Sequence, residues 1–216
     1  MAWRYDGVVS SRPDVTLAQR KRQLVSDELT EAALQLLALK GFDGVTIDEI
    51  AVAAGVSKRT FFRYFASKED VVVQFLSGMG EAMRAELAAR PADEPPSVAL
   101  RHTVQVPVAE CADRSDHAER ALRVVRLILR TPALRARFLE RQAQWRDDLA
   151  AELTHRLPPG PDPDLRARLA AGMTLTAFDT VLQRWSDSDG TQDPAALTDH
   201  AFTLLAPALD APQPGA

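Results

Sequence analysis

The chain carries one cysteine, Cys111, among its 216 residues, which excludes an intrachain disulfide. A lone thiol is either a small buried hydrophobe or a reactive redox sensor, and both readings stay open. Histidine is scarce as well. His102, His117, His155 and His200 lie far apart with no partner three or four positions on, so no zinc helix motif exists and no metal is expected. No long uncharged apolar run occurs, which removes a membrane-spanning helix and a membrane partner from the expectations. The opening MAWRYDGVVSSRPDVT lacks a charged head followed by an apolar block, so no signal peptide is expected. Gly78-Met79-Gly80 is a lone G-x-G without a preceding strand or a third glycine, and does not make a dinucleotide loop. Strand-type alternation and internal repeats are missing too. No catalytic residue and no cofactor can be nominated, and an enzyme is not expected.

What the chain does have is concentrated between Thr46 and Lys68, reading TIDEIAVAAGVSKRTFFRYFASK. Thr46 with Glu49 three residues on forms a capping box, which satisfies two orphan N–H groups at a helix start. Ile47, Ile50, Ala51 and Ala54 recur at helical spacing and give that helix one apolar face. Gly55 supplies a left-handed end at no Cβ cost. Val56 plugs the corner, and Ser57 caps a second helix. Two short helices joined through a glycine turn form the helix-turn-helix that lays its second helix in the DNA major groove. At about 100° per residue, Phe61 and Phe65 fall together and seat the second helix, while Arg59, Thr60 and Arg63 cluster opposite. Arginine forks donate to guanine O6 and N7, and threonine reaches base or phosphate. Lys58, Tyr64 and Lys68 flank that face and suit phosphate oxygens, which set register without reading sequence. Double-stranded DNA is the expected partner.

The net charge of −4 looks awkward for a DNA binder. Residues 1–70 hold ten Lys/Arg and ten Asp/Glu, however, so the remainder carries the whole deficit. Within the first part the cations bunch at Arg20-Lys21-Arg22 and between Lys58 and Lys68. The local patch, not the total, governs attraction to phosphate.

The run from Thr46 to Val71, with Gly41, Ala54-Gly55-Val56-Ser57, Thr60, Tyr64-Phe65 and Lys68 at fixed spacings, resembles the DNA-binding domain of the tetracycline-repressor (TetR) family of bacterial transcriptional regulators. The resemblance covers about residues 17–80. It implies that Thr46, Thr60, Tyr64 and Lys68 contact the operator backbone, and that Lys58, Arg59, Thr60 and Arg63 lie nearest the base edges; Ser57, at the start of that helix, completes the candidate set. Position 62 is often a phosphate-binding tyrosine in this family. Phe62 has no hydroxyl, so that contact is expected to be absent here.

Beyond the motif the chain reads as helix after helix. Thr16 with Gln19 caps a first helix whose Leu29, Ala32, Ala33, Leu36 and Leu37 form one stripe. Ser67 with Asp70 opens another that runs toward Ala89, before Pro91, Pro95 and Pro96 break it. Ser97 to Ala112 is helical, with Pro107 expected to kink or split it. Further helices are expected over His117–Arg130, from Thr131-Pro132 to about Leu157, over about 164–186, and from Asp193-Pro194 to about Leu209. The fold class is all-α, with about nine helices. Domain bounds are a flexible arm at 1–16, a helix-turn-helix domain at 17–66 followed by a linking helix from about 67, a helical ligand-binding and dimerisation domain at 67–209, and a disordered tail at 210–216.

One reading helix per chain gives weak specificity, and two-fold dimers solve this by pairing half-sites. The family resemblance places the homodimer interface on the last two helices, with Leu169, Met173, Ala177 and Val181 on one and Leu197, Ala201, Leu204 and Leu205 on the other. It also implies an effector cavity between the reading head and that interface. Candidate lining residues are Phe75, Met79, Met83, Val104, Val108, Leu127, Phe138 and Trp145. The later part distantly resembles C-terminal domains described as acyl-coenzyme-A-like-ligand binding, and Arg123, Arg126 and Arg130 share a helix face that could meet an anionic head group. The expected function is a cytoplasmic, ligand-responsive bacterial regulator, most simply a repressor released by a small, mostly apolar effector. An activator of the same family is one alternative; a helical small-molecule-binding or scaffold protein that never touches DNA is another.

Overall fold

Capping side chains and first-turn prolines set where most of the helices begin. In the computed structural model, Thr16, Thr46 and Ser67 each form a reciprocal capping box with the residue three positions on. They open α1 (Leu17–Lys40), α2 (Ile47–Ala53) and α4 (Lys68–Ala89). Ser57 caps α3 (Lys58–Tyr64), and Asp193 caps α9 (Pro194–Leu209) by accepting from the Ala195 amide. Proline at the first turn starts α7 (Pro132–Thr154) and α8 (Pro163–Asp187), where a missing N–H costs nothing. Thr131 stands at the head of α7, but its hydroxyl makes no capping bond, so there the proline alone does the work expected of both. The remaining helices are α5 (Pro96–Ala112) and α6 (Ser115–Arg130). These nine helices make up the regular structure among the described residues, which are 16–112, 115–157 and 161–211. The expected arm, most of the expected tail, part of the proline-rich linker and the Cys111 side chain lie outside them.

Pro107 does not split α5, which runs through it as one helix with the proline ring buried. The ring packs inside the body, and that burial offsets the lost backbone hydrogen bond. Asp210 closes α9 and its carboxylate accepts from the backbone N of Ser97 at 2.9 Å and from the Ser97 hydroxyl at 2.5 Å, tying the end of α9 to the start of α5.

A continuous apolar core joins the reading head to the body. Leu29, Leu34 and Leu37 of α1 meet Ile50 of α2, Phe61 of α3 and Leu76 of α4, all fully buried. Farther on, α4 packs on α5 and α7, α7 on α8, and α5 on α9. At Gly80 α4 lies against α7: a Cβ there would overlap the Trp145 indole, so only glycine fits without a shift of that ring. A small satellite cluster of Ala121, Leu122 and Trp185 anchors α6 to α8.

Candidate nucleic-acid interface and effector cavity

The turn between α2 and α3 is fixed by its own backbone. Gly55 takes φ 65°, its N–H donates to Val52 O, and the Val56 N–H reaches back to Ala51 O at 2.9 Å. That pair of bonds is the Schellman end, which needs a left-handed residue. Ser57 then accepts from the Thr60 amide at 3.1 Å and shares a hydroxyl–hydroxyl bond with Thr60 at 2.9 Å. Phe61 and Phe65 are buried beneath α3, with ring centroids 5.6 Å apart. Arg59, Phe62 and Arg63 are left on the exposed side.

The flanking polar residues have partners within the protein. The Thr46 hydroxyl accepts from the Glu49 amide and donates to the Glu49 carboxylate at 3.0 Å, so it is engaged in the cap. Lys40 donates to the same carboxylate at 2.6 Å. The Lys40 hydrogen bond first, and then the Thr46 amide and hydroxyl, hold the Glu49 pKa down from 4.5 to about 2. Lys58 pairs with Asp48 at 3.0 Å, with both side chains exposed. Such a pair contributes about 0–1 kcal/mol and yields readily to a phosphate. Tyr64 lies between two cations, with the Arg63 guanidinium 5.2 Å and the Arg22 guanidinium 5.9 Å from its ring centroid.

Lys68 too is engaged within the protein. Its ammonium donates to Phe42 O at 2.5 Å and Val45 O at 3.2 Å, and lies 4.2 Å from the Phe42 ring centroid. It braces the α1–α2 corner against the start of α4, which leaves one of its three donors for a phosphate.

In the body, a small apolar cavity of about 30 Å³ sits among α4, α5, α6, α7 and α8. Phe75, Met79 and Phe138 line it, together with Leu76, Pro107, Ala121, Val124, Val125, Ile128, Leu129, Phe178 and Leu182. The expected Met83, Val104, Val108, Leu127 and Trp145 are buried in the surrounding core and do not reach the space. Helical spacing identifies a buried face but not which buried residues border a void. Nor do the arginines of α6 enter it. Arg123 pairs with Glu119 at 2.6 Å, and Arg126 donates to Ser186 O at 2.8 Å and to the Asp189 carboxylate, tying α6 to the end of α8.

Along α8 and α9 runs an open groove of about 670 Å³, lined by Leu165, Leu169, Met173, Ala177, Ala201, Leu204 and Leu205, among others. Leu169 is 55% exposed and Leu204 is 68% exposed. Two expected interface residues point elsewhere. Val181 is buried, and Leu197 packs against the Leu122–Trp185 cluster, because each falls on the inward side of its helix.

Residues 29–75 match the model described as bacterial regulatory proteins, tetR family, and residues 94–210 match the MftR C-terminal domain. The helix-turn-helix transcriptional regulator TcmR of Streptomyces glaucescens is 34% identical over 172 residues, covering 78% of this chain and 76% of TcmR. The chain belongs to the TetR family. It is a helix-turn-helix DNA-binding transcriptional regulator, in a family of regulators rather than enzymes. MftR of Mycobacterium tuberculosis is 27% identical over 92% of this chain and 98% of its own. Among solved structures, FadR of Bacillus subtilis in complex with stearoyl-CoA shares the fold at a TM-score of 0.60 and 23% identity, over 83% of this chain and 96% of that one. Thermus thermophilus FadR, a TetR-family repressor in complex with lauroyl-CoA, is 27% identical with a TM-score of 0.52, over 88% and 100%.

Seen against the TetR-family reading head, Arg22 is the residue that motif spacing passes over. The cluster Arg20-Lys21-Arg22 signalled it, but only the folded chain brings α1 beside Tyr64. Among the described residues, no helix is long and apolar enough to cross a membrane.

Proposed function

We propose that this TetR-family regulator acts in the cytoplasm as a homodimeric repressor. Its two α3 helices bind a palindromic operator, and a small, mostly apolar effector bound between α4 and α8 releases it. The observation that carries this reading is the apolar α8–α9 groove left open on a chain with a single reading helix. Covering that groove with a second copy removes Leu169 and Leu204 from water and sets two reading heads at a fixed spacing. Arg59 and Arg63 then address base edges, while Lys58, Tyr64 and the free donor of Lys68 address phosphate.

An apolar effector is supported by the lining of the cavity and by the acyl-CoA ligands in the two FadR structures. At about 30 Å³ the cavity holds roughly one water, against the ~300 Å³ or more of a ligand pocket. A guest therefore has to part the helices. Binding energy for an expanded body shifts the spacing of the heads, since a ligand moves an equilibrium only through unequal affinity for its two states.

The test begins with selection of duplexes from a random library and sedimentation of the protein on the enriched sequence. A palindrome bound by two copies is expected. Calorimetry with lauroyl-CoA and stearoyl-CoA as probes, with and without that duplex, then checks the coupling. The duplex must weaken effector binding by the factor the effector weakens duplex binding. Equal effector affinity in both conditions sinks the induction scheme. Transcription from a promoter carrying the site separates repression from activation by its sign.

A further inference from the structure

Phe62 is an apolar side chain on an otherwise cationic reading face. Its neighbour Phe61 is fully buried, whereas Phe62 is 49% exposed. Arg59, three positions before, and Arg63, one after, are exposed beside it. The ring is not loose: it stands edge-on to Phe61 at 90°, with centroids 5.6 Å apart. That contact fixes its direction and reduces the entropy lost on binding. Lacking a hydroxyl, it has nothing to donate to a phosphate oxygen. The open α8–α9 groove lies on other helices, so a second copy docked there leaves Phe62 uncovered.

The flanking arginines favour a polyanion as the partner of this face, and the major groove presents one apolar group, the C5 methyl of thymine. We propose that Phe62 is a specificity-determining residue that recognises a thymine methyl in each half-site, beside the bases addressed by Arg59 and Arg63. The inference rests on the proposed entry of α3 into the major groove. Burial of the methyl against the ring removes it from water, and hydrogen-bonding neighbours set which base step it meets.

The experiment uses the intact protein and the duplex enriched from a random library. Each thymine is replaced in turn by deoxyuridine, which deletes the methyl and leaves the pairing edge unchanged. Wild type is expected to lose about fourfold in affinity at one position per half-site, the transfer value of one methyl group. Phe62→Ala is expected to bind the thymine and deoxyuridine duplexes equally, and Phe62→Leu to retain part of the difference. Circular dichroism melting checks that both variants fold, and the wild-type comparison needs no variant. The proposal is overturned if no thymine replacement affects wild type, or if Phe62→Ala keeps the full penalty. Uniform weakening of all duplexes by Phe62→Ala, with no methyl dependence, assigns the ring to the backbone and also overturns it, while the regulator reading stands. If no duplex is enriched at all, that reading falls and takes this one with it.

Discussion

The Arg120 guanidinium, on α6, donates to the Glu31 carboxylate, on α1, across the junction between body and reading head. The two side chains are 17% and 18% exposed, and Gln35 donates to the same carboxylate at 2.9 Å. The next residue, Ala121, lines the cavity, as do Val124 and Ile128 of the same helix. One helix therefore touches both the cavity and the base of the helix-turn-helix head. Arg120→Gln is expected to lower stability by about 1.5–3 kcal/mol, the range for a hydrogen bond to a charged group. Under the proposed induction scheme it should also shrink the factor by which effector weakens DNA binding. Denaturant titration measures the first effect, and anisotropy with and without effector measures the second.

Lys68 and the arginines of α3 should separate cleanly. Lys68→Ala removes two carbonyl contacts at the α1–α2 corner and is expected to cost roughly 1–3 kcal/mol of stability. Arg59→Ala and Arg63→Ala, both exposed, should leave Tm nearly unchanged but weaken a selected duplex by roughly 1–3 kcal/mol and relax its sequence preference. Thermal melts of the three variants, set beside duplex titrations, decide this. Unchanged Tm in Lys68→Ala would return that lysine to a purely DNA-facing role.

Glu49 makes the N-terminus of α2 acid-sensitive. Its carboxyl is held down from 4.5 to about 2 by Lys40 and Thr46, so folding favours the charged form. The contribution is fully present above pH 4.5 and is lost as pH falls through about 2. The Tm gap between wild type and Glu49→Gln should therefore be constant near neutrality and close over that window. Melts at fixed ionic strength give the gap, and one that stays constant down to acid pH contradicts the linkage.

Two substitutions on the outer helices should have opposite consequences. Leu204→Glu places a charge in the exposed α8–α9 groove and is expected to give a folded monomer at micromolar concentration. Val181→Ala empties part of the buried side of α8 and should cost roughly 1–3 kcal/mol while leaving association intact. Sedimentation velocity and denaturant titration of both variants distinguish the faces.

Sequence alone determined the helices and most of their starts, because capping is local. Thr46 and Glu49, or Ser67 and Asp70, meet within one turn whatever the rest of the chain does. The turn at Gly55 and the burial of Phe61 and Phe65 follow from the same short-range geometry and periodicity. Tertiary structure decided what depends on residues distant in the chain. It brought Lys68 to the carbonyls of Phe42 and Val45, Arg126 to Ser186 and Asp189, and Arg120 to Glu31. It also placed Phe178 and Leu182 of α8 in one cavity with Phe75 of α4, and turned Val181 inward while Leu169 faces out. Helical period separates an apolar face from a polar one, but α8 is apolar on more than one side. Which of those sides meets the core, and which stays open, is fixed only by the helices that pack against it.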